Sequence, residues 1–248
     1  MTRRRFFTCT VLFAAVFIFF IIPPLTVSES QGKFQVFVWS FPLKNLITAL
    51  TTVLAVILLK KLTEEEKLPE NCNCTEENKN LAQNCNTKKS EPKLIRFIKA
   101  SSVFLITFGL IWISSALLQF IAGLSGKSIN RNFTKPEGLE WLFCILIFIS
   151  GAVTEELLYR IFLPESLIFF SSRIKKERLK KIFMIVSEIA AALIFAFSHK
   201  YAGIFSVINA FTAHFAFRFC YKKTKKIELN FISHFLYNFL SFLVLIYV

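Results

Sequence analysis

Seven apolar runs, most of them near the length of a membrane crossing, constrain this chain more than any other feature. They fall at 6–25, 43–59, 101–124, 139–170, 182–199, 201–219 and 229–248. A helix needs roughly 20 apolar residues to cross the hydrocarbon core. At that depth only helices and closed barrels satisfy every backbone N–H and C=O. The runs are continuous rather than alternating, which points to helices. The fold expected is therefore all-α: a polytopic membrane helix bundle with about seven transmembrane helices. A soluble alternative fails on composition. Of the 248 residues 54% are hydrophobic and 31 are Phe, more apolar surface than a soluble domain of this length can bury.

The runs differ in character. The first follows Arg3, Arg4 and Arg5 and lacks a small-residue cleavage site before Ser28, so it reads as an uncleaved span rather than a secretory signal. The second is interrupted by Pro42 and Lys44 and is compatible with an interfacial start at Phe34. The fourth exceeds one crossing and contains Pro164, which predicts a bend there or a continuation along the membrane surface. Residues 1–100 are expected to form two spans and a polar inner loop over 60–99, with 101–248 as the membrane core.

Charge orients the spans. Most of the 30 Lys and Arg residues lie in Arg3–Arg5, 60–99, 173–181 and 218–226, which share one side if the N-terminus is inside. This positive-inside pattern accounts for the net charge of +14, and no nucleic-acid partner is expected, because the basic residues flank apolar spans. Membrane lipid is the expected partner, and 173–181 reads as a surface helix on anionic lipid. Loop 60–99 mixes both charge signs with many Asn and little apolar content, so a flexible loop is expected. Its Cys72, Cys74 and Cys85 fit zinc spacings poorly, and on an inner loop they would be reduced. Cys9, Cys144 and Cys220 lie in or beside spans and behave as small apolar residues. The triplets at Asn73 and Asn132 match the glycosylation pattern, which is short and common in Asn-rich chains.

Ionisable groups at membrane depth are costly unless partnered or watered, and here they cluster late in the chain. Glu156 and Arg160 stand at i,i+4 in the order that favours an ion pair on one helix face. Glu155 points about 100° away and keeps no partner on its own helix, which suits general-base work on a water. Both glutamates could instead pair with basic groups on other helices. His199 ends the fifth run four residues after Phe195, where an interfacial histidine beside Lys200 is the simpler reading of this residue taken by itself. His234 and Asn238 share a face of the last run and could receive a developing oxyanion, or simply hydrogen-bond between helices. Glu188 reads as structural and near the inner interface, and His214 as a packed core histidine. Upright spans would put His199 near the outer end of its helix and His234 near the inner start of its own.

Taken in order on successive late spans, Glu155-Glu156-x-x-x-Arg160, Phe195-x-x-x-His199 and His234-x-x-x-Asn238 resemble the CPBP family of intramembrane proteases. That family includes the type II CAAX prenyl endopeptidases and the bacterial Abi-type proteins. The resemblance covers about 139–248. It implies a glutamate peptidase, metal-independent, in which Glu155 and His199 activate the attacking water. His234 and Asn238 would stabilise the oxyanion, Glu156 and Arg160 would hold the site as an ion pair, and Phe195 supports the second motif. No cofactor is expected. Two histidines and a glutamate could nevertheless bind a divalent metal, although the chain has no His-Glu-x-x-His. The implied substrate is a peptide or protein, with a lipidated tail or a peptide precursor as the two candidates. A bacterial cytoplasmic membrane is expected, with the N-terminus and polar loop inside. The competing functions are a non-catalytic immunity or partner-binding protein on the same scaffold, and a transporter, for which the internal symmetry is missing.

Overall fold

In a computed structural model of the protein, residues 3–26, 40–64, 92–126, 135–171 and 173–247 are described. Helix α1 runs Arg3–Val16 and continues through a π-helical turn, Phe17–Ile21, into Ile22–Thr26. Helices α2 (Ser40–Glu64) and α3 (Lys93–Leu124) follow. Helix α4 spans Glu140–Ser171, with α-helical Glu140–Glu155 and Leu163–Ser171 on either side of a π-helical stretch, Glu156–Phe162. Helices α5 (Glu177–Phe197), α6 (Ile204–Thr224) and α7 (Ile227–Tyr247) complete the bundle, and no strand occurs among the described residues.

The architecture is the all-α membrane bundle expected from the apolar runs. Helices α1, α3, α4 and α7 are long and apolar enough to cross a membrane. Helices α5 and α6 are more polar, since Lys180, Lys181 and Glu188 lie on the first and Asn209, His214 and Arg218 on the second. Large apolar side chains such as Leu105, Ile113 and Leu117 on α3 and Ile185 on α5 are exposed, the arrangement of a surface solvated by lipid rather than water.

Several boundaries differ from the sequence expectation. Polar loop 60–99 is helical at both edges, because α2 continues to Glu64 and α3 begins at Lys93. Its cysteines lie outside the described residues, as do Asn73, Asn132 and the stretch from Phe34 to 39. Segment 173–181 is not a separate surface helix: Glu177 to Lys181 form the first turn of α5. Arg218, grouped with the inner-loop charges, is a buried side chain of α6, because it has oxygen partners on two neighbouring helices. The fourth run continues past Pro164 as one helix to Ser171.

Helix α4 is the centre of the packing. Its π-helical Leu157, Leu158, Tyr159, Ile161 and Phe162, with Leu163 beyond them, form a core with Cys9, Val16 and Ile21 of α1 and with Ala55, Val56 and Leu59 of α2. Helix α7 packs on α4, α3 and α6, and α5 packs on α6 and the second half of α4. A smaller cluster, Ile111, Ala213 and Phe217, joins α3 to α6. The π-helical stretch has a visible cause. Pro164 has no N–H, so in a continuous α-helix the carbonyl of Arg160 would find no donor, and the proline ring would crowd that oxygen. The chain widens its turn instead, and the Leu163 N–H donates to the carbonyl of Leu158, five residues back. Such insertions recur at functional sites; this one carries Glu156 and Arg160.

Candidate active site

The two adjacent glutamates occupy different environments. Glu155 is the last residue of the α-helical half of α4 and Glu156 the first of the π-helical stretch. Glu156 and Arg160 are both fully buried, with Nη2 3.4 Å from Oε1. Asn230 of α7 donates its Nδ2 to Glu156 Oε2 at 2.9 Å and to the Phe217 carbonyl at 2.9 Å. Arg160 sits over the face of Phe195, its Cζ 4.0 Å from the ring centroid. Phe195 is thus the aromatic floor of the buried cation. The ion pair read from i,i+4 spacing is present.

Glu155 keeps a side-chain exposure of 30%, and its Oε2 meets two imidazole nitrogens: His199 Nε2 at 3.7 Å and His234 Nε2 at 3.6 Å. Both separations exceed a direct hydrogen bond and leave the oxygen, which is itself buried, without a hydrogen-bond partner. The hydrogen bonds on the far side of each ring settle its orientation. His199 Nδ1 lies 2.9 Å from the Phe195 carbonyl, and His234 Nδ1 lies 2.9 Å from Glu156 Oε1. Those oxygens only accept, so each Nδ1 carries the proton. A neutral ring then turns a lone pair on Nε2 towards Glu155, and a charged ring turns a proton. Phe217 stacks on His234 at 4.9 Å between centroids, and Phe195 meets His199 edge-on at 4.7 Å.

The structure therefore brings Glu155, Glu156, Arg160, Phe195, His199 and His234 together. His199 and His234 reach the same Glu155 oxygen, although upright spans would set them near opposite ends of their helices. Gly203, at φ 88°, adopts a conformation open to glycine and turns the chain into α6 four residues after His199. Asn238 lies one turn beyond His234, half-buried, and its side chain makes no hydrogen bond among the described residues. His214 is fully buried and packs on Phe195, with ring centroids 5.9 Å apart, and neither ring nitrogen has a hydrogen-bond partner among the described residues.

Two functional neighbours escaped the sequence reading. Asn230 stands four residues before His234, so Asn230, His234 and Asn238 form one polar stripe, and extending the i,i+4 pattern a turn upstream would have found it. Arg218 carried no such signal, because an arginine near a run of lysines at a helix end looks like a loop charge. Among the described residues no group of three or more His, Cys, Asp or Glu is arranged to hold a metal ion.

A bundle of apolar helices with acid and imidazole side chains gathered inside it defines a polytopic integral membrane protein. Residues 137–240 match the family described as type II CAAX prenyl endopeptidase Rce1-like. That segment, from the start of α4 into α7, contains all three motifs and is similar to the CAAX-protease-like group that they resemble. No curated protein and no solved structure matches the chain.

Proposed function

We propose that this protein is an intramembrane endopeptidase that hydrolyses a peptide bond at or near the membrane surface, without a metal. The observation that carries the reading is the unpartnered Oε2 of Glu155, facing His199 Nε2 at 3.7 Å and His234 Nε2 at 3.6 Å. Gaps of this size between polar atoms are commonly bridged by a water. Glu155, with the lone pair of a neutral His199, takes the proton of that water as its oxygen attacks the scissile carbonyl. His234 in its charged form donates from Nε2 to the oxyanion while Nδ1 stays on Glu156, and Asn238 adds a second donor. Collapse of the tetrahedral intermediate returns the proton to the leaving amine. Glu156, Arg160 and Asn230 hold His234 in place and touch no reacting atom. The family match supports a peptide or protein substrate presented at the membrane, and a lipidated C-terminal tail is the first candidate.

The test is a peptidase assay on purified protein in detergent, using a peptide with a farnesylated cysteine near its C-terminus and a set of unmodified peptides. Glu155→Gln and His199→Ala are expected to abolish cleavage, with no loss when a chelator is added to wild type. Full activity in both variants sinks the catalytic reading and favours a partner-binding role on this scaffold. Loss on chelation, restored by a divalent metal, replaces the metal-free mechanism.

A further inference from the structure

We propose that Arg218 is a positioning residue for the catalytic cluster, acting through the backbone of α4 rather than through any reacting atom. Its guanidinium sits 5% exposed at the junction of three helices. Nε and Nη2 donate to the two carboxylate oxygens of Glu188 on α5, at 3.0 and 2.8 Å. Nη1 donates to the carbonyl oxygen of Arg160 on α4 and lies 3.8 Å from Glu165 Oε1. Lys222 also reaches Glu188, at 2.8 Å. The carboxylate thus pairs with one buried and one half-exposed cation.

The choice of acceptor gives Arg218 its role. Arg160 O is the carbonyl that Pro164 deprives of its α-helical donor, and a buried carbonyl needs a partner. Arg218 supplies it with a charged donor, the stronger kind. The same side chain grips Glu188, two turns before Phe195 on the helix that ends at His199. One guanidinium therefore clamps the helix bearing Glu155, Glu156 and Arg160 to the helix bearing Phe195 and His199. Proline and arginine act as a pair: the first opens the α4 ladder and the second closes it from outside.

This pairing makes a specific prediction. Arg218→Met should lower the melting temperature in detergent by several degrees, and Pro164→Ala, which restores an N–H to the ladder, should recover much of that loss in the double variant. A second measurement rests on the peptidase reading. Displacement by about an ångström costs on the order of 100-fold in rate, so Arg218→Met should lower kcat by about 10- to 100-fold with KM little changed. Arg218→Lys, one donor in place of a fork, should recover only part. Additive melting shifts from Pro164→Ala and Arg218→Met, or a stable Arg218→Met variant with wild-type kcat, would overturn the proposal. Melting data do not need a substrate, so a failure of the peptidase reading would leave the coupling between residues 164 and 218 measurable.

Discussion

Glu155 and Glu156 are neighbours in sequence and opposites in surroundings, and each should fail in its own way. Glu156 is fully buried and accepts from Asn230 and His234 beside Arg160. Glu156→Gln strands a buried guanidinium, which costs about 3–5 kcal/mol and should appear as a sharp fall in melting temperature in detergent. Glu155 is 30% exposed on its side chain and makes no hydrogen bond through the buried Oε2. Glu155→Gln should therefore change stability by less than ~0.5 kcal/mol while removing hydrolysis. A comparable loss of stability in both variants would refute the separation. The separation itself was legible in the sequence, since a 100° step between successive residues forces two adjacent carboxylates apart. Asn230 was less legible because asparagine is unremarkable among the polar residues of a membrane helix until its partner on another helix is known.

At the scale of the element, α4 shows what hydropathy can and cannot carry. Its existence and length follow from an unbroken apolar run, and its end near Ser171 follows from the change in composition. The π-helical stretch does not, because Pro164 in a long helix is compatible with a kink, a surface turn or a widened turn, and neighbours decide among them. Burial of 156–162 against α1, α2 and α7 favours a continuous helix here. Similarly, Arg218 could be placed only once α5 and α4 were seen to offer it a carboxylate and a carbonyl. The α5 face that meets this region is lined by small residues, Ala191 and Ala192, which are fully buried, and close approach of membrane helices depends on such positions. Ala191→Leu overfills that contact and should destabilise by about 1–3 kcal/mol, read as a lower melting temperature. Leu193, exposed on the same helix, should accept Ala with little change.

At the scale of the whole molecule, the segment that carries the three motifs is not independent of the helices before it. Cys9, Val16 and Ile21 of α1 are buried in the same core as Leu157, Leu158, Ile161 and Phe162 of α4. Deleting residues 1–26 should expose that core, and size-exclusion chromatography in detergent should show aggregate in place of a monodisperse peak. A well-behaved truncated protein would show that α4 to α7 suffice. The bundle as such was legible because lipid admits so few solutions for the backbone. The convergence of His199 and His234 on Glu155 was legible only as a requirement of the motifs, since helix tilt and offset are set by packing that no single run encodes.

The unequal surroundings of the two glutamates also bear on chemical modification. An apolar carbodiimide dissolves in the hydrocarbon phase and couples to carboxyl groups that it can reach. Of the pair, only Glu155 offers an opening, whereas Glu156 is enclosed on every side. A short exposure should therefore leave the adduct on one of two adjacent carboxyls, resolved by fragmentation of the peptide around 151–160, and a bound substrate peptide should shield it.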